Sequence, residues 1–178
     1  MKENNSGEIS QYTNRPILGG YDCQDPQVIA QHIRWAGDHG IDFFALSWWG
    51  PNEPTDRTLK EHYLRVSQSD RVKFAIHFES LGRLGPSIDL SDPTKSQRLL
   101  DDFDYLAETY FDDPRYLKIN DRPMVFMYVV RGYRNADEAF AELRSTMDAK
   151  GYNPYLIADV VWWDSADSLS WNFPSKYF

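Results

Sequence analysis

Two segments decide the fold of this chain: Ile41-Asp-Phe-Phe-Ala-Leu-Ser-Trp-Trp-Gly50 and Val72-Lys-Phe-Ala-Ile-His-Phe-Glu-Ser80. Each begins as the near-continuous apolar run that is typical of a parallel strand covered on both faces. The first ends in two tryptophans, and the second ends in a histidine and a glutamate. Two consecutive strands that both end in such groups indicate the working face of a β/α barrel, which lies at the C-terminal ends of its strands. Aromatic rings beside a carboxylate further indicate a sugar site.

The composition is that of a globular protein with many aromatic residues. The 178 residues are 42% hydrophobic and 26% charged, which is enough for one domain with a sizeable core. The net charge of −8 argues against nucleic acid or an anionic membrane surface as a partner. The aromatic content is 15%, with 6 Trp and 11 Tyr, and it fits either carbohydrate binding or a core rich in rings.

The single cysteine and the polar start of the chain exclude some further classes. Cys23 is the only cysteine, so no intrachain disulfide forms, and no base stands near it in sequence to make it a catalytic thiol. Residues 1–15 lack the order of a signal peptide, and we expect a disordered polar tail there, followed by a domain over residues 16–178. No apolar stretch is long enough to span a membrane, and the localisation stays open.

Strand-like and helix-like segments alternate along the chain. The predicted strands are Pro16–Tyr21, Ile41–Trp48, Val72–Phe78, Pro123–Val130 and Tyr155–Val161. Four helices lie between them, and we expect their N-caps at Asp25, Thr55, Asp92 and Asn135, the last with Glu138 in a capping box.

Five strands and four helices in alternation predict an α/β protein with parallel strands. One architecture that fits is a complete doubly wound sheet, which the length favours. The other is an incomplete (β/α)8 barrel of the TIM type, since a whole one needs at least ~200 residues. Neither a dinucleotide-binding glycine motif nor a phosphate loop occurs, so the usual nucleotide functions of the doubly wound fold have no support.

The strand ends supply the candidate site residues, which are Tyr21, Trp48, Trp49, His77, Glu79 and Tyr128. His77 and Glu79 are two residues apart, so alternation places them on one face, where they could bind hydroxyls or assist proton transfer. The alternative is an ordinary histidine–carboxylate pair. Trp48 and Trp49 point to opposite faces, so that one can line the site while the other packs against helices; the alternative places both in the core.

Metal binding and nucleophilic serine chemistry are not indicated. The four histidines are His32, His39, His62 and His77, and they form no pattern of paired ligands. No serine stands in a nucleophile elbow. We expect neither a metal nor a cofactor.

Four segments, taken in order, resemble glycoside hydrolase family 99, the endo-α-mannosidases and endo-α-1,2-mannanases. Gly20–Ile33 is similar to the family's "Tyr-Ser-Ser-x-Asp-Pro-x-Val-Ile-x-x-His-Met" stretch, and Gly40–Pro51 resembles its "Ser-Trp-Trp/Tyr" strand. Phe74–Glu79 is similar to "Phe-His-Ile-Glu-Pro-Tyr", and Arg122–Tyr128 to "Pro-Met-Phe-Tyr-Val-Tyr". Their order and spacing over about residues 20 to 160 carry the resemblance.

The resemblance implies a (β/α)8 barrel that cleaves internal α-mannosidic linkages with retention. It implies that Trp48 or Trp49 stacks on a sugar. It also implies that Glu79 hydrogen-bonds sugar hydroxyls near the reacting ring, and that Tyr21 and Tyr128 line the cleft. An oligosaccharide or polysaccharide is then the expected partner.

The chain departs from the family pattern in its carboxylates. The family's "Asn-Glu-Trp-x-Glu" motif does not occur, and no glutamate follows Glu142. Glycoside hydrolysis usually needs two carboxyl groups about 5 to 10 Å apart, and here only Glu79, with Asp22 or Asp164 more remotely, could serve. An early strand of the family is also missing. We therefore expect a truncated chain or a fragment that is inactive alone, in which Glu79 holds substrate.

Three other functions stay open at this point. The chain could belong to a polysaccharide-biosynthesis protein, could bind sugars without cleaving them, or could be an unrelated α/β protein with a complete doubly wound sheet. An open half barrel leaves strand edges unpaired, and we expect such a chain to self-associate.

Overall fold

The computed structural model describes residues 14, 16–67 and 70–159. The helices are α1 (Pro26–Asp38), α2 (Pro54–Arg57, continued by a π-helical Thr58–His62 and a 3-10 turn Tyr63–Arg65), α3 (Ser80–Leu84), α4 (Pro93–Leu106, continued by a π-helical Ala107–Phe111) and α5 (Asp137–Ala149). The strands are β1 (Phe43–Trp48), β2 (Lys73–Phe78), β3 (Ile88–Asp89), β4 (Lys118–Ile119), β5 (Arg122–Met127), β6 (Tyr133–Arg134) and β7 (Tyr155–Ala158). None of the helices in these ranges is long and apolar enough to cross a membrane.

The main sheet is parallel and follows the order of the chain. Strand β1 pairs with β2, β2 with β5, and β5 with β7, all in parallel. A doubly wound sheet instead reverses its strand order at a switch point, and no such reversal occurs among the described strands. With right-handed crossovers, strands in simple sequence order place their helices on one face of the sheet. The order is therefore that of consecutive β/α units in a barrel.

The two faces of this sheet differ in burial toward the C-terminal ends of the strands. On the helix-covered face, Leu46 is level with Ile76, and Ile76 with Val125. The last two side chains are fully buried. On the opposite face, Ser47 is level with His77 and is exposed to solvent. At these strand ends, the face opposite to the helices therefore holds the groups that chemistry can use.

Capping and apolar periodicity explain the two longest helices. The Asp25 carboxylate accepts a hydrogen bond from the Gln27 backbone N–H at 2.8 Å, and Asp92 accepts one from Thr94 at 2.9 Å. Both caps stand before a proline at the first helical position, as the sequence predicts. The buried stripe of α4 and its continuation consists of Leu99, Leu100, Phe103, Leu106, Ala107, Tyr110 and Phe111.

Two predictions about the early strands are wrong. Pro16–Tyr21 is not a strand, because the Gly19 N–H closes a turn onto the Pro16 carbonyl at 2.9 Å and Gly19 has a left-handed φ of 70°. Strand β1 is not covered on both faces. Ala45 and Ser47 are exposed, because among the described residues no helix covers the face of the sheet to which they point.

The predicted caps of two helices are also wrong. Helix α2 begins at Pro54, and the Thr55 hydroxyl instead accepts a hydrogen bond from the Trp49 backbone N–H at 3.3 Å. Helix α5 has Ala136 at its N-cap with no side-chain cap, so the capping box with Glu138 does not form. Asn135 adopts a left-handed φ of 47°, and its amide donates to Asp89 at 3.0 Å.

Several short elements lie between the predicted ones. Helix α3 follows directly after Glu79, β3 and β6 form a separate two-stranded sheet, and β4 pairs antiparallel with β5. The last described strand ends at Ala158. The predicted tail over residues 1–15 and the end of the fifth predicted strand at Val161 lie outside the described residues, apart from Asn14.

Candidate functional site

The C-terminal ends of the parallel strands bring four polar side chains together. Ser47 belongs to β1, and Glu79 directly follows β2. Tyr128 directly follows β5, and Asp159 directly follows β7. Since adjacent parallel strands end at the same edge of a sheet, these residues gather on one side of it.

A continuous chain of hydrogen bonds joins Trp49, Ser47, Glu79, His77 and Asp159. The Trp49 indole N–H donates to the Ser47 hydroxyl at 2.9 Å, and the Ser47 hydroxyl donates to Glu79 Oε1 at 2.7 Å. His77 Nδ1 lies 3.3 Å from the same Glu79 oxygen, and His77 Nε2 lies 3.4 Å from Asp159 Oδ2. A neutral imidazole carries one N–H and an imidazolium carries two, so only the charged form donates to both carboxylates.

The prediction that His77 and Glu79 share a face is confirmed by their contact. The Tyr128 ring lies 5.3 Å from the imidazole, centre to centre. Tyr21 is placed elsewhere: its ring packs edge-to-face on His32 of α1 at 5.4 Å. Within the described ranges, Tyr21 takes no part in the hydrogen bonds and ring contacts around Glu79.

The two tryptophans are separated as alternation predicts. Trp48 is only 1% exposed and packs under the helices, whereas Trp49 is 48% exposed. The prediction that Trp48 could stack on a sugar is therefore corrected, because neither face of its ring is open to a ligand. Of the pair, Trp49 alone is available.

The Trp49 ring rests on the backbone of Gly82 in α3. A Cβ built on Gly82 would lie 2.5 Å from Trp49 Cε3 and 2.7 Å from Cζ3, far inside the ~3.5 Å at which carbon atoms meet. Only glycine therefore leaves room for the indole in this position. One end of the ring is held by Ser47 and the other lies against Gly82.

Trp48 is fixed by a buried carboxylate, that of Asp56, which is 0% exposed. One carboxylate oxygen accepts hydrogen bonds from the Trp48 indole at 2.9 Å and from the Tyr110 hydroxyl at 2.5 Å. The other oxygen accepts hydrogen bonds from the Asn52 backbone N–H at 2.8 Å and from the Tyr105 hydroxyl at 2.7 Å. The Lys60 ammonium lies 3.1 Å from this second oxygen. Burial alone would raise the pKa of Asp56. The hydrogen bonds from the two tyrosines, the indole and the Asn52 N–H outweigh burial and hold the pKa below its ordinary value.

A second buried ion pair closes the other side of Trp48. Arg83 donates to both oxygens of Asp102, at 2.8 and 2.6 Å, and its guanidinium lies 5.8 Å from the Trp48 ring centre. Burial raises the pKa of Asp102, against the opposing effect of Arg83. Gly50 has a φ of 129°, and a Cβ there would lie 2.5 Å from the Arg83 guanidinium. The loop after Trp49 therefore needs glycine at this point.

Sequence reasoning missed Ser47, Gly82, Asp56 and Asp159 in this region. The sequence could have identified Ser47, because it lies two residues before Trp49 and alternation places both side chains on the same face of the strand. Asp159 follows an apolar strand, just as Glu79 does, and the same rule could have found it. Trp162, Trp163 and Asp164, which follow the fifth predicted strand, lie outside the described residues. Asp22 accepts a hydrogen bond from the Gln24 backbone N–H at 2.9 Å.

No metal centre is found in the part of the chain that the structure describes, since no group of three or more His, Cys, Asp or Glu residues is arranged to hold an ion. The site instead offers an exposed ring, a hydroxyl, an imidazole and two carboxylates. Such a set has the chemistry to suit a neutral polar ligand with a flat apolar side.

Parallel β/α units with polar side chains at the C-terminal strand ends are the arrangement seen at the working face of barrel-type enzymes. The family model of glycosyl hydrolase family 99 matches residues 3–152. The chain belongs to this family, which confirms the resemblance seen in the sequence.

Individual relatives agree with the family match. The glycoprotein endo-alpha-1,2-mannosidase-like protein of Mus musculus is 26% identical over 137 residues, covering 72% of this chain and 28% of that protein. A solved glycoside hydrolase-like protein has a TM-score of 0.66 at 21% identity, covering 83% of this chain and 47% of that one. The GH99 endo-alpha-mannosidase from Bacteroides thetaiotaomicron has a TM-score of 0.63 at 18% identity, covering 86% and 43%. The chain thus spans less than half the length of each, and the two structures share its fold.

The Asp56 network generates a prediction about stability. Asp56→Ala leaves the Trp48 indole and two tyrosine hydroxyls without their buried acceptor, and we expect it to lower the free energy of unfolding by about 3 kcal/mol or more. Urea denaturation measures this. The matched control is Asp38→Ala, which removes an exposed ion pair with Arg71 and should leave the free energy nearly unchanged. Equal effects of the two variants would contradict the role of Asp56.

Proposed function

We propose that this chain binds an α-mannoside-containing glycan at the strand ends, with a sugar ring stacked on Trp49 and its hydroxyls bonded to Glu79. One observation carries the proposal: a half-exposed indole and a carboxylate are both hydrogen-bonded to the same serine hydroxyl. A fixed ring offers apolar area at little entropic cost, and an ionised carboxylate accepts strong hydrogen bonds from hydroxyls. Membership of family 99 supports an α-mannoside as the ligand.

Tyr128 and His77 extend the proposed surface away from Trp49. The Tyr128 ring lies beside the imidazole, and its hydroxyl can donate to or accept from a sugar. Asp159 adds a second carboxylate on the far side of His77. Together these groups could recognise several hydroxyls of one sugar residue.

We infer that the chain supplies substrate-holding groups for a retaining endo-α-mannosidase type of site and does not supply the bond-breaking carboxylates. Retaining hydrolysis canonically places two carboxyl groups across the scissile bond, one of which must be able to give up a proton. Glu79 accepts from Ser47 and contacts His77, which are the partners of a carboxylate used as an acceptor. The sequence also lacks the family motif "Asn-Glu-Trp-x-Glu". Binding without cleavage is therefore the activity proposed for this chain by itself.

Calorimetry with α-1,2-mannobiose tests this function. Trp49→Ala should weaken binding about tenfold, equivalent to ~1.4 kcal/mol, because the stacking surface is lost. Glu79→Gln should weaken it by a similar factor through loss of the charge. The matched control is Trp35→Ala, which removes a tryptophan that packs on His32 of α1 and should leave the affinity unchanged.

Two outcomes would contradict the proposal. Equal losses for Trp49→Ala and Trp35→Ala would show that the effect is not local to the strand ends. Turnover of an α-mannan by the unaltered chain, abolished by Glu79→Gln, would make Glu79 a catalytic residue rather than a substrate-holding one.

We also propose that the chain self-associates through β1, with a second copy of the chain as the partner. Among the described strands β1 pairs only with β2, and Phe43–Trp48 contains neither charge nor proline to block further pairing. An apolar groove of about 560 Å³ runs beside it, lined in part by Ile41, Phe44 and Leu46.

Light scattering over a range of concentrations tests this pairing. The unaltered chain should gain mass with concentration, and Ala45→Lys should shift it toward the monomer, because a lysine on an edge strand opposes pairing. Gln97→Lys, on the exposed side of α4, adds the same charge away from the edge and should change nothing. A monomer at every concentration would exclude the pairing.

A further inference from the structure

The Ser47 hydroxyl has a fixed direction in the hydrogen-bond chain. An indole N–H only donates, and an ionised carboxylate only accepts. The single hydroxyl proton of Ser47 must therefore point to Glu79, at 2.7 Å, while an oxygen lone pair receives the Trp49 N–H, at 2.9 Å. No other arrangement satisfies both contacts, so the positions of the ring and the carboxylate depend on one oxygen atom.

Gly82 restricts the same ring from its opposite end. The Trp49 carbons that approach Gly82, Cε3 and Cζ3, belong to the six-membered ring, whereas the nitrogen bound to Ser47 belongs to the five-membered ring. A planar group held at both ends cannot rotate about its Cβ–Cγ bond without losing one contact. The open face of the indole is thereby kept at a constant angle to Glu79.

The stability of the fold does not require either contact. Ser47 is exposed on β1, so a hydroxyl removed there leaves no buried polar group behind. Gly82 lies within a helix, where alanine is the better helix former by about 1 kcal/mol. Neither residue packs in the core, and the neighbouring Trp48 already anchors the end of the strand.

We propose that Ser47 is a positioning residue that couples Trp49 to Glu79. We also propose that Gly82, because it has no side chain, leaves the space that sets the angle of the Trp49 ring. The coupling itself is a property of the protein without ligand. Its consequence for sugar recognition rests on the proposed function. A sugar that bonds to Glu79 then meets the stacking face at one fixed distance and orientation.

The indole N–H resonances in a ¹⁵N–¹H spectrum of the full chain test the coupling without any ligand. The Trp49 resonance is assigned by its loss in Trp49→Phe. Glu79→Gln should shift this resonance although Glu79 does not receive the indole proton, because the change passes through the Ser47 hydroxyl. In a Ser47→Ala background the same Glu79→Gln change should no longer move it, and Ser47→Thr should restore the dependence.

Gly82→Ala tests the clearance separately. The added methyl should displace the ring, shift the Trp49 resonance and speed exchange of its proton with water, while the unfolding temperature stays equal or rises. Gly37→Ala is the matched control, since it also places alanine within a helix but meets only the Arg71 side chain at 3.4 Å. It should leave the Trp49 resonance in place.

The results separate this inference from the proposed function. An equal response to Glu79→Gln with and without the Ser47 hydroxyl, or an unmoved Trp49 resonance in Gly82→Ala, overturns the positioning roles. If the resonances behave as expected but Trp49→Ala leaves the affinity for α-1,2-mannobiose unchanged, the positioning stands and the sugar assignment fails. If Trp49→Ala weakens binding about tenfold while Ser47→Ala leaves it unchanged, the sugar assignment stands and the coupling carries no role in recognition.

Discussion

A carboxylate taken out of water is tolerated only where hydrogen bonds replace its hydration, and Asp56 meets that condition with five donors from four parts of the chain. Those donors belong to the end of β1, the loop before α2, α2 itself and the α4 helix with its π-helical continuation. The network therefore fixes the end of β1 against the helices. Because Trp48 is bound inward by Asp56, strand alternation turns both Ser47 and Trp49 to the opposite side.

The site results from that constraint and from the parallel sheet. Pairing of β1 with β2 in parallel places Ser47 level with His77 and brings Glu79 beside both. The short helix α3 begins immediately after Glu79 and supplies Gly82, on which the Trp49 ring rests. A rigid ring and a carboxylate are thus positioned by elements whose own packing lies on the other face of the sheet.

Much of the fold could be predicted from local patterns. Asp-Pro pairs marked the starts of α1 and α4, and apolar runs marked β1, β2 and β5, because capping and burial act over a few residues. The cap at Asn135 was mispredicted because its amide bonds to Asp89, a residue far away in sequence. For the site, alternation correctly joined His77 with Glu79 and separated the tryptophans. It could not say which tryptophan faced the helices, since that depends on Asp56, a contact made only by tertiary packing.

A crystal structure of the chain with α-1,2-mannobiose would show whether Trp49 and Glu79 hold a sugar together. We expect a sugar ring stacked on the open face of Trp49, with a hydroxyl about 2.7–2.8 Å from Glu79 and the indole still bonded to Ser47. A sugar bound in the groove between α1 and β1, or a Trp49 ring turned away from Ser47 to receive it, would contradict this binding mode.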